Sequence, residues 1–324
     1  MTVMAEIPSV LALVGPTAVG KTGLSIEVAR LLNAEIVSCD SMQVYRQLPI
    51  LSQAPTQAER AAVPHHLIDC VEPTENFSAG QYRDLAGESI NEILGRGKRA
   101  LVVGGTGLYL RALNQGMCEA PPADPDVRRR LWSECESFGP EPLYERLNQI
   151  DQVAAAKIHP RDAKRIIRAI EVFVISGRSL SSWWQTEASE KPMAIPVIGL
   201  NRERGELVKR IAARQLDMIF EQNVVGEARE VLKLPLSQTA GQVHGLADIA
   251  AYLERRVTLQ AMIEAWRTRV RQYAKRQLTW FRHVPGIRWL NIEKDMPDTE
   301  AAKQILELAN QNQPAPSDTS RVAG

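Results

Sequence analysis

The chain has 324 residues, of which 44% are hydrophobic and 24% charged, and its formal net charge is +1. This composition is that of a globular protein with one large or two modest domains, and no apolar run reaches the length of a membrane span. A nearly neutral chain would have to meet a nucleic acid through local basic patches. The four cysteines form no C-x-x-C pair, which predicts neither a zinc site nor a disulfide framework and favours a cytoplasmic location.

The first third of the chain alternates short apolar runs with helical patterns, which is typical of βαβ units and a parallel sheet. A capping box of Ser78 and Gln81 marks the start of one helix. The predicted strands are Val10–Val14, Glu35–Ser38, His66–Asp69 and Ala100–Val103, and the predicted helices run over Leu24–Leu32 and from Ser78 to Leu94.

A glycine-rich turn joins the first predicted strand to the first predicted helix. It fits the phosphate-binding pattern G-x-x-x-x-G-K-[ST] with Gly15, Pro16, Thr17, Ala18, Val19, Gly20, Lys21 and Thr22. Such a loop turns backbone N–H groups and a helix N-terminus toward an anion. Lys21 supplies a full positive charge, and the Thr22 hydroxyl can hold Mg²⁺. The motif predicts a site for a nucleotide such as ATP or for another polyphosphate, without deciding whether that group is hydrolysed, transferred or displaced.

Two further segments follow predicted strands. Asp40 ends the second strand, and the turn Gly104–Gly107 follows the fourth. Ligands of doubly wound sheets bind beyond the carboxyl ends of the strands, so these segments are expected to converge with the glycine-rich turn. Asp40 is a candidate general base or a ligand of Mg²⁺ through water, with a simple turn or helix-capping role as the alternative.

The pattern becomes helical from Ala120 to Trp184. We predict an α/β core in residues 1–119, an all-helical insertion in 120–190, a continuation of the core with C-terminal helices in 191–290, and a partly disordered tail in 291–324. The later predicted elements are helices Val127–Phe138, Pro142–Ile150 and Asp162–Ser176, a strand at Ala194–Leu200, and helices Arg204–Phe220 and Leu259–His283.

Two helical stretches carry dense positive charge. Arg161, Lys164, Arg165 and Arg168 form a stripe at helical spacing, and the run from Arg267 to Arg282 contains no acid. Such faces are either solvated surface or contacts to a phosphate backbone. The aromatic and apolar positions of the later run keep helical spacing and are expected in the core; they are Trp266, Val270, Tyr273 and Trp280.

Taken together in chain order, these segments resemble the tRNA dimethylallyltransferases, also called tRNA isopentenyltransferases. The resemblance covers roughly residues 8 to 290 and includes the glycine-rich turn. The other matching segments are Asp40–Arg46, Pro64–Asp69, Val103–Tyr109, Ile158–Asp162, Arg165–Glu171 and Arg271–Phe281. The chain departs from the family pattern at Gln47–Pro55 and at Gly245–Asp248, where the family commonly has Gly-Tyr-Arg-Glu.

The resemblance implies a P-loop parallel-sheet core with an all-helical insertion, and transfer of a dimethylallyl group from its diphosphate to N6 of adenosine 37 in tRNA. The P-loop would then hold the diphosphate leaving group with Mg²⁺. It also implies catalytic roles for Asp40, Thr17 and Arg214. The residues expected against the anticodon stem-loop are Asp40, Ser41, Met42, Gln43, Thr106, Arg128, Lys164, Arg165, Ile166, Ile167 and Arg168.

Three alternatives remain at the level of sequence. A P-loop kinase would use ATP to phosphorylate a small molecule, and a non-catalytic NTPase switch would bind RNA through the basic faces. A prenyltransferase could also act on free adenine nucleotides. The basic faces favour tRNA as the acceptor, and we expect a monomer that does not associate with membranes.

Overall fold

The computed structural model describes residues 7–118, 120–184 and 193–310. It divides into two compact units, one formed by Met1–Asn114 with Met193–Gly324 and the other by Gln115–Pro192. The second unit occupies nearly the same stretch as the helical insertion predicted at 120–190. No helix in the described residues is long and apolar enough to cross a membrane.

The larger unit contains one parallel sheet of six strands. The strands are β1 (Val10–Val14), β2 (Ala34–Cys39), β3 (His65–His66), β4 (Arg99–Gly104), β5 (Val197–Asn201) and β6 (Arg288–Asn291). They lie in the order β3-β2-β4-β1-β5-β6. The helices are α1 (Lys21–Leu32), α2 (Pro49–Ser52), α3 (Gln57–Ala62), α4 (Ala79–Gly95), α5 (Gly107–Gln115), α6 (Pro125–Phe138), α7 (Glu141–Ile150), α8 (Gln152–Lys157), α9 (Ala163–Ser176), α10 (Leu180–Trp184), α11 (Arg204–Phe220), α12 (Val224–Val231), α13 (Leu246–Leu253), α14 (Leu259–Arg282) and α15 (Asp298–Asn310).

The register of the central strands brings their carboxyl ends together. Gly104, at the end of β4, pairs with Val14 of β1 and with Cys39 of β2. A side chain at Gly104 would collide with the Cys39 carbonyl, so this close approach requires glycine. The segments that follow these strands are therefore neighbours, and the predicted α/β fold with a P-loop sheet is confirmed.

Two elements differ from the sequence prediction. The strand predicted at His66–Asp69 is wrong beyond its first residue, because Leu67 and Asp69 adopt left-handed φ angles of 59° and 51° that end β3. In addition, α15 (Asp298–Asn310) occupies much of the stretch expected to be a tail. The remainder of that predicted tail, residues 311–324, lies outside the described residues.

The described residues of the second unit contain the helices α6 to α10 and no strand. Its core is built where the apolar faces of these helices meet, and Leu143, Leu147, Ile166 and Ile170 are fully buried there. The N-terminus of α9 is capped by the Asp162 carboxylate, which accepts from the Arg165 N–H at 3.2 Å. The cap fixes where α9 begins, and the distribution of its apolar residues determines which face packs inward and which carries basic side chains to solvent.

Two of the four residues of α14 that were predicted to lie in the core are partly exposed. Trp266 and Val270 are buried, as their spacing predicts, but Tyr273 is only half-buried and Trp280 is 36% exposed. Tyr273 lines a cleft at the carboxyl ends of the strands, and Trp280 lies against Gly107, shortly after the end of β4. Periodicity identifies a face of α14, but it does not distinguish a face that packs from one that lines a cleft.

Candidate active site

An open cleft of about 860 Å³ lies at the carboxyl ends of the central strands. It is lined by the P-loop, by the Asp40–Gln43 turn and by side chains from α11 and α14. The P-loop and the Asp40 turn, which the sequence motifs predict, and Arg214, which the family resemblance implies, therefore share one cleft in the larger unit.

Lys21 is half-buried at the start of α1. Its ammonium group donates to the carbonyl oxygens of Gly15 and Pro16, each at 2.9 Å. Burial lowers the pKa of Lys21 to about 8, an effect that the nearby Asp40 carboxylate opposes and the Arg214 charge reinforces. A cation held this way is poised to exchange two carbonyl partners for an anion.

Arg214 reaches the P-loop from α11. Its guanidinium donates to the Thr17 hydroxyl at 2.6 Å, so the two side chains that the family resemblance implicates are in direct contact. Burial lowers the pKa of Arg214 to about 10, which leaves it charged at neutral pH. Two cations, Lys21 and Arg214, thus face the same loop.

Gln277 joins the two glycine-rich turns. Its side-chain oxygen accepts from the Thr17 N–H at 2.8 Å, and its side-chain nitrogen donates to the Gly105 carbonyl at 2.9 Å. The sequence motif contains this residue, but its role was not predicted. A buried glutamine within an otherwise basic helix is the signal that could have drawn attention to it, because buried amides need partners.

Asp40 stands at the end of β2, facing the P-loop. One of its oxygens accepts from the Met42 N–H at 2.9 Å. Burial raises the pKa of Asp40 above its ordinary value, and the Met42 hydrogen bond and the Lys21 charge oppose that rise. A carboxylate with a raised pKa is a stronger base than one in water, which suits proton removal from a weakly acidic group.

The turn after Asp40 is held by Thr106. The Ser41 N–H donates to the Thr106 hydroxyl at 3.0 Å, and the Thr106 N–H donates to the Cys39 carbonyl at 3.1 Å. Gln43 is fixed separately, accepting from the Ser38 hydroxyl at 2.9 Å. Asp40 is therefore carried on a turn that is braced by Thr106, which follows β4, and by Ser38 of β2 itself.

The side chains near the P-loop fit Mg²⁺ only when it is shared with a phosphate ligand. The Thr22 hydroxyl and the Asp40 carboxylate line the cleft, and no group of three or more metal-binding side chains occurs among the described residues. Mg²⁺ commonly takes one or two protein oxygens and completes its shell with phosphate oxygens and water. The donor set here is of that kind.

The segment that departs from the family pattern, Gln47–Pro55, forms part of the cleft wall as α2. The Glu227 carboxylate accepts from the N–H groups of Ile50 and Leu51 at 2.8 and 2.7 Å. The second departure is at the start of α13, where Asp248 pairs with Arg269. Both segments are thus tied to the fold by a carboxylate.

The remaining residues implicated by the resemblance lie in the second unit. Arg128 and Arg168 both bind the buried Glu171 carboxylate, at 2.7 and 2.8 Å, and Arg168 also donates to the Pro121 carbonyl. About a third of each arginine side chain is exposed. Much of their charge is therefore already engaged by Glu171, and their first role is to join α6 to α9.

The other members of this set differ in exposure. Lys164 and Arg165 are exposed on α9, whereas Ile166 and Ile167 are fully buried in the core of the unit. The side chains of the two isoleucines pack against other helices, so the prediction that they contact tRNA is wrong for these side chains. Lys164 and Arg165 are therefore the cations of α9 that are exposed enough to meet a phosphate backbone, and Arg165 also pairs with Asp162 at 3.4 Å.

Comparisons with known proteins agree with this site. A sequence model described as IPP transferase matches residues 43–284. The tRNA dimethylallyltransferase of Syntrophobacter fumaroxidans is 44% identical over 289 residues, covering 88% of this chain and 84% of the relative. That of Geobacter metallireducens is 41% identical, covering 85% of this chain and 90% of the relative.

Solved structures extend the likeness to three dimensions. The full-length tRNA isopentenylpyrophosphate transferase from Bacillus halodurans is 37% identical with a TM-score of 0.66, covering 92% of this chain and 94% of that one. A eukaryotic dimethylallyltransferase solved acting on tRNA is 28% identical with a TM-score of 0.78, covering 92% and 77%. With the P-loop, the braced aspartate and these relatives in agreement, the chain belongs to the tRNA dimethylallyltransferase (IPP transferase) family.

Proposed function

We propose that this protein transfers a dimethylallyl group from dimethylallyl diphosphate to N6 of adenosine 37 in tRNA. The observation that carries the proposal is the shared cleft, in which the cations Lys21 and Arg214 and the raised-pKa carboxylate of Asp40 face one another. The cations suit a departing diphosphate, and the carboxylate suits a proton acceptor. The target base would leave the anticodon stack to enter the cleft.

The reaction joins N6 to the allylic carbon as the bond from that carbon to the diphosphate oxygen breaks. The N6 amine is a poor nucleophile because its lone pair is delocalised into the ring, so removal of its proton by Asp40 assists attack. Lys21, Arg214 and the loop N–H groups stabilise the charge that grows on the leaving diphosphate. Thr22 would hold Mg²⁺, which would supply further neutralisation of that charge.

The decisive assay incubates the purified protein with labelled dimethylallyl diphosphate, Mg²⁺ and unmodified tRNA in the absence of ATP. The expected result is label in N6-dimethylallyladenosine at position 37, found by nucleoside analysis. Parallel reactions offer AMP as the acceptor, or add ATP. A strict requirement for ATP would favour the kinase alternative, and faster labelling of AMP than of tRNA would favour a prenyltransferase of free nucleotides.

A further inference from the structure

Two arginines hold carbonyl groups on consecutive residues of the P-loop. Arg202, which follows β5, donates from Nε to the Val19 carbonyl at 2.8 Å and from Nη1 to the Glu293 carbonyl at 2.9 Å. Arg210, on α11, donates from Nε to the Ala18 carbonyl at 2.9 Å. Arg202 is only 7% exposed, while Arg210 is exposed at the edge of the cleft.

The peptide groups bound by the two arginines adjoin residues with left-handed backbone angles. Ala18 has a φ of 67° and Gly20 a φ of 107°, both in the left-handed region. Alternation of left- and right-handed residues gathers successive N–H groups around an anion. The conformation is unfavourable for a residue with a Cβ, so Ala18 adopts it only where its surroundings enforce it.

The geometry of the peptide bond connects each arginine to an N–H group. In a trans peptide the C=O and N–H point in opposite directions. Because Arg202 draws the Val19 oxygen toward itself, it turns the Gly20 N–H the other way. The Val19 N–H, in the peptide held by Arg210, donates to the Pro16 carbonyl at 3.3 Å and closes the loop.

We propose that Arg202 and Arg210 are positioning residues that orient the P-loop peptides for the diphosphate. The proposal rests on the proposed function of this loop as the diphosphate site. Arg202 also ties the loop to Glu293, which lies beyond residue 284, where the family match ends. The segment that follows β6 would thus take part in organising the site through one buried side chain.

The competing explanation is that the two arginines only add positive charge near the anion. Arg202→Lys and Arg210→Lys separate the explanations, because lysine keeps the charge but lacks the planar fork that fixes each carbonyl. Isothermal titration with inorganic pyrophosphate and Mg²⁺ measures the site directly. If the arginines orient the loop, each lysine variant weakens pyrophosphate binding by about tenfold or more. In turnover, KM for dimethylallyl diphosphate rises while KM for tRNA stays unchanged.

Lys209→Met is the matched control, since Lys209 is an exposed cation next to Arg210 on the same helix. It is expected to bind pyrophosphate like the wild type.

Arg210 is exposed, so the test remains valid even if substitution of the buried Arg202 prevents folding, which thermal unfolding would reveal. Wild-type pyrophosphate affinity in Arg210→Lys, with weak binding in Arg210→Met, would overturn positioning in favour of charge alone. Failure of the wild-type protein to bind pyrophosphate would instead overturn the diphosphate site itself.

Discussion

At the scale of single residues, the chemistry of the cleft depends on how the half-buried Asp40 carboxylate and the half-buried Lys21 ammonium group shift each other's pKa. Burial raises the pKa of Asp40 and lowers that of Lys21, so desolvation moves the two groups toward each other in acidity. Their mutual attraction opposes both shifts. With a pKa of about 8, the Lys21 ammonium group keeps most of its positive charge at neutral pH.

Asp40→Asn is expected to collapse turnover while changing tRNA affinity little. The amide keeps the shape of the side chain and can hydrogen-bond to N6, but it cannot accept the proton, and loss of a general base typically costs about 10²- to 10⁴-fold. Single-turnover rates and filter binding of tRNA measure the two effects. Rescue of the variant by raised Mg²⁺ would show that Asp40 acts mainly through the metal, and wild-type turnover without added metal would leave it only a turn residue.

Lys21→Ala is expected to abolish turnover and leave tRNA binding nearly intact. The Lys21 ammonium lies against the P-loop carbonyls of Gly15 and Pro16, where the diphosphate would take their place. Loss of a preorganised partner of developing charge costs about 3 kcal/mol or more in the transition state. Lys209→Ala is the control for loss of one positive charge, and near-normal turnover of Lys21→Ala would remove the P-loop from the mechanism.

At the scale of elements, α9 shows that one basic stripe can serve two purposes. Arg168 directs its charge to the buried Glu171, together with Arg128 from α6, while Lys164 and Arg165 are exposed to solvent. A buried carboxylate constrains both of its partners, because removing either arginine leaves the buried charge of Glu171 with a single cationic partner. The periodic spacing of the four cations does not reveal this division.

Substitution of Lys164 and Arg165 by alanine together is expected to weaken tRNA binding and reduce its salt dependence. Removing one cation that touches a phosphate lowers the slope of log K against log salt by about one unit. Arg168→Ala is the contrasting variant, and it is expected to destabilise the protein by about 1 to 3 kcal/mol through Glu171. Binding titrations at several salt concentrations, with thermal unfolding beside them, test both; an unchanged slope in the double variant would make this face solvated surface only.

At the scale of the whole sheet, the two ends of β2 have opposite tasks. Its carboxyl end carries Asp40 into the cleft, whereas Glu35, near its amino end, is buried and bound by His66 at 2.7 Å, Arg96 at 2.7 Å and Lys98 at 3.0 Å. These partners lower the pKa of Glu35 to about 2 against the opposing effect of burial. Asp40 therefore serves the reaction, whereas Glu35 stabilises the fold.

Glu35→Gln is expected to lower the free energy of unfolding by about 2 to 3 kcal/mol at pH 7. Because the folded pKa lies below the unfolded value, the stabilisation is complete above about pH 4.5 and is lost as the pH falls toward 2. Urea unfolding of both proteins at pH 7 and pH 3 should show the difference shrinking. Glu92→Gln removes an exposed carboxylate 4.0 Å from Arg96 and should have little effect at either pH. A difference for Glu35→Gln that is constant with pH would contradict the ionic origin.

Local sequence was sufficient to predict the parts of this protein that depend on neighbouring residues. Strand β1 and helix α11 have their predicted bounds, and the capping box of Ser78 and Gln81 starts α4, because local periodicity and capping chemistry suffice for such elements. The P-loop was predicted for the same reason, since its motif lies within eight consecutive residues.

The meeting of side chains across long stretches of chain depended instead on the tertiary structure. The contact of Arg214 with Thr17, the bridge formed by Gln277 and the hold of Arg202 on Val19 each join residues about two hundred or more positions apart. The same periodicity in α14 buries Trp266 and places Tyr273 on the wall of the cleft. Hydrophobic spacing states only that a face is apolar, whereas the packing of distant elements determines whether that face becomes core or the wall of a cleft.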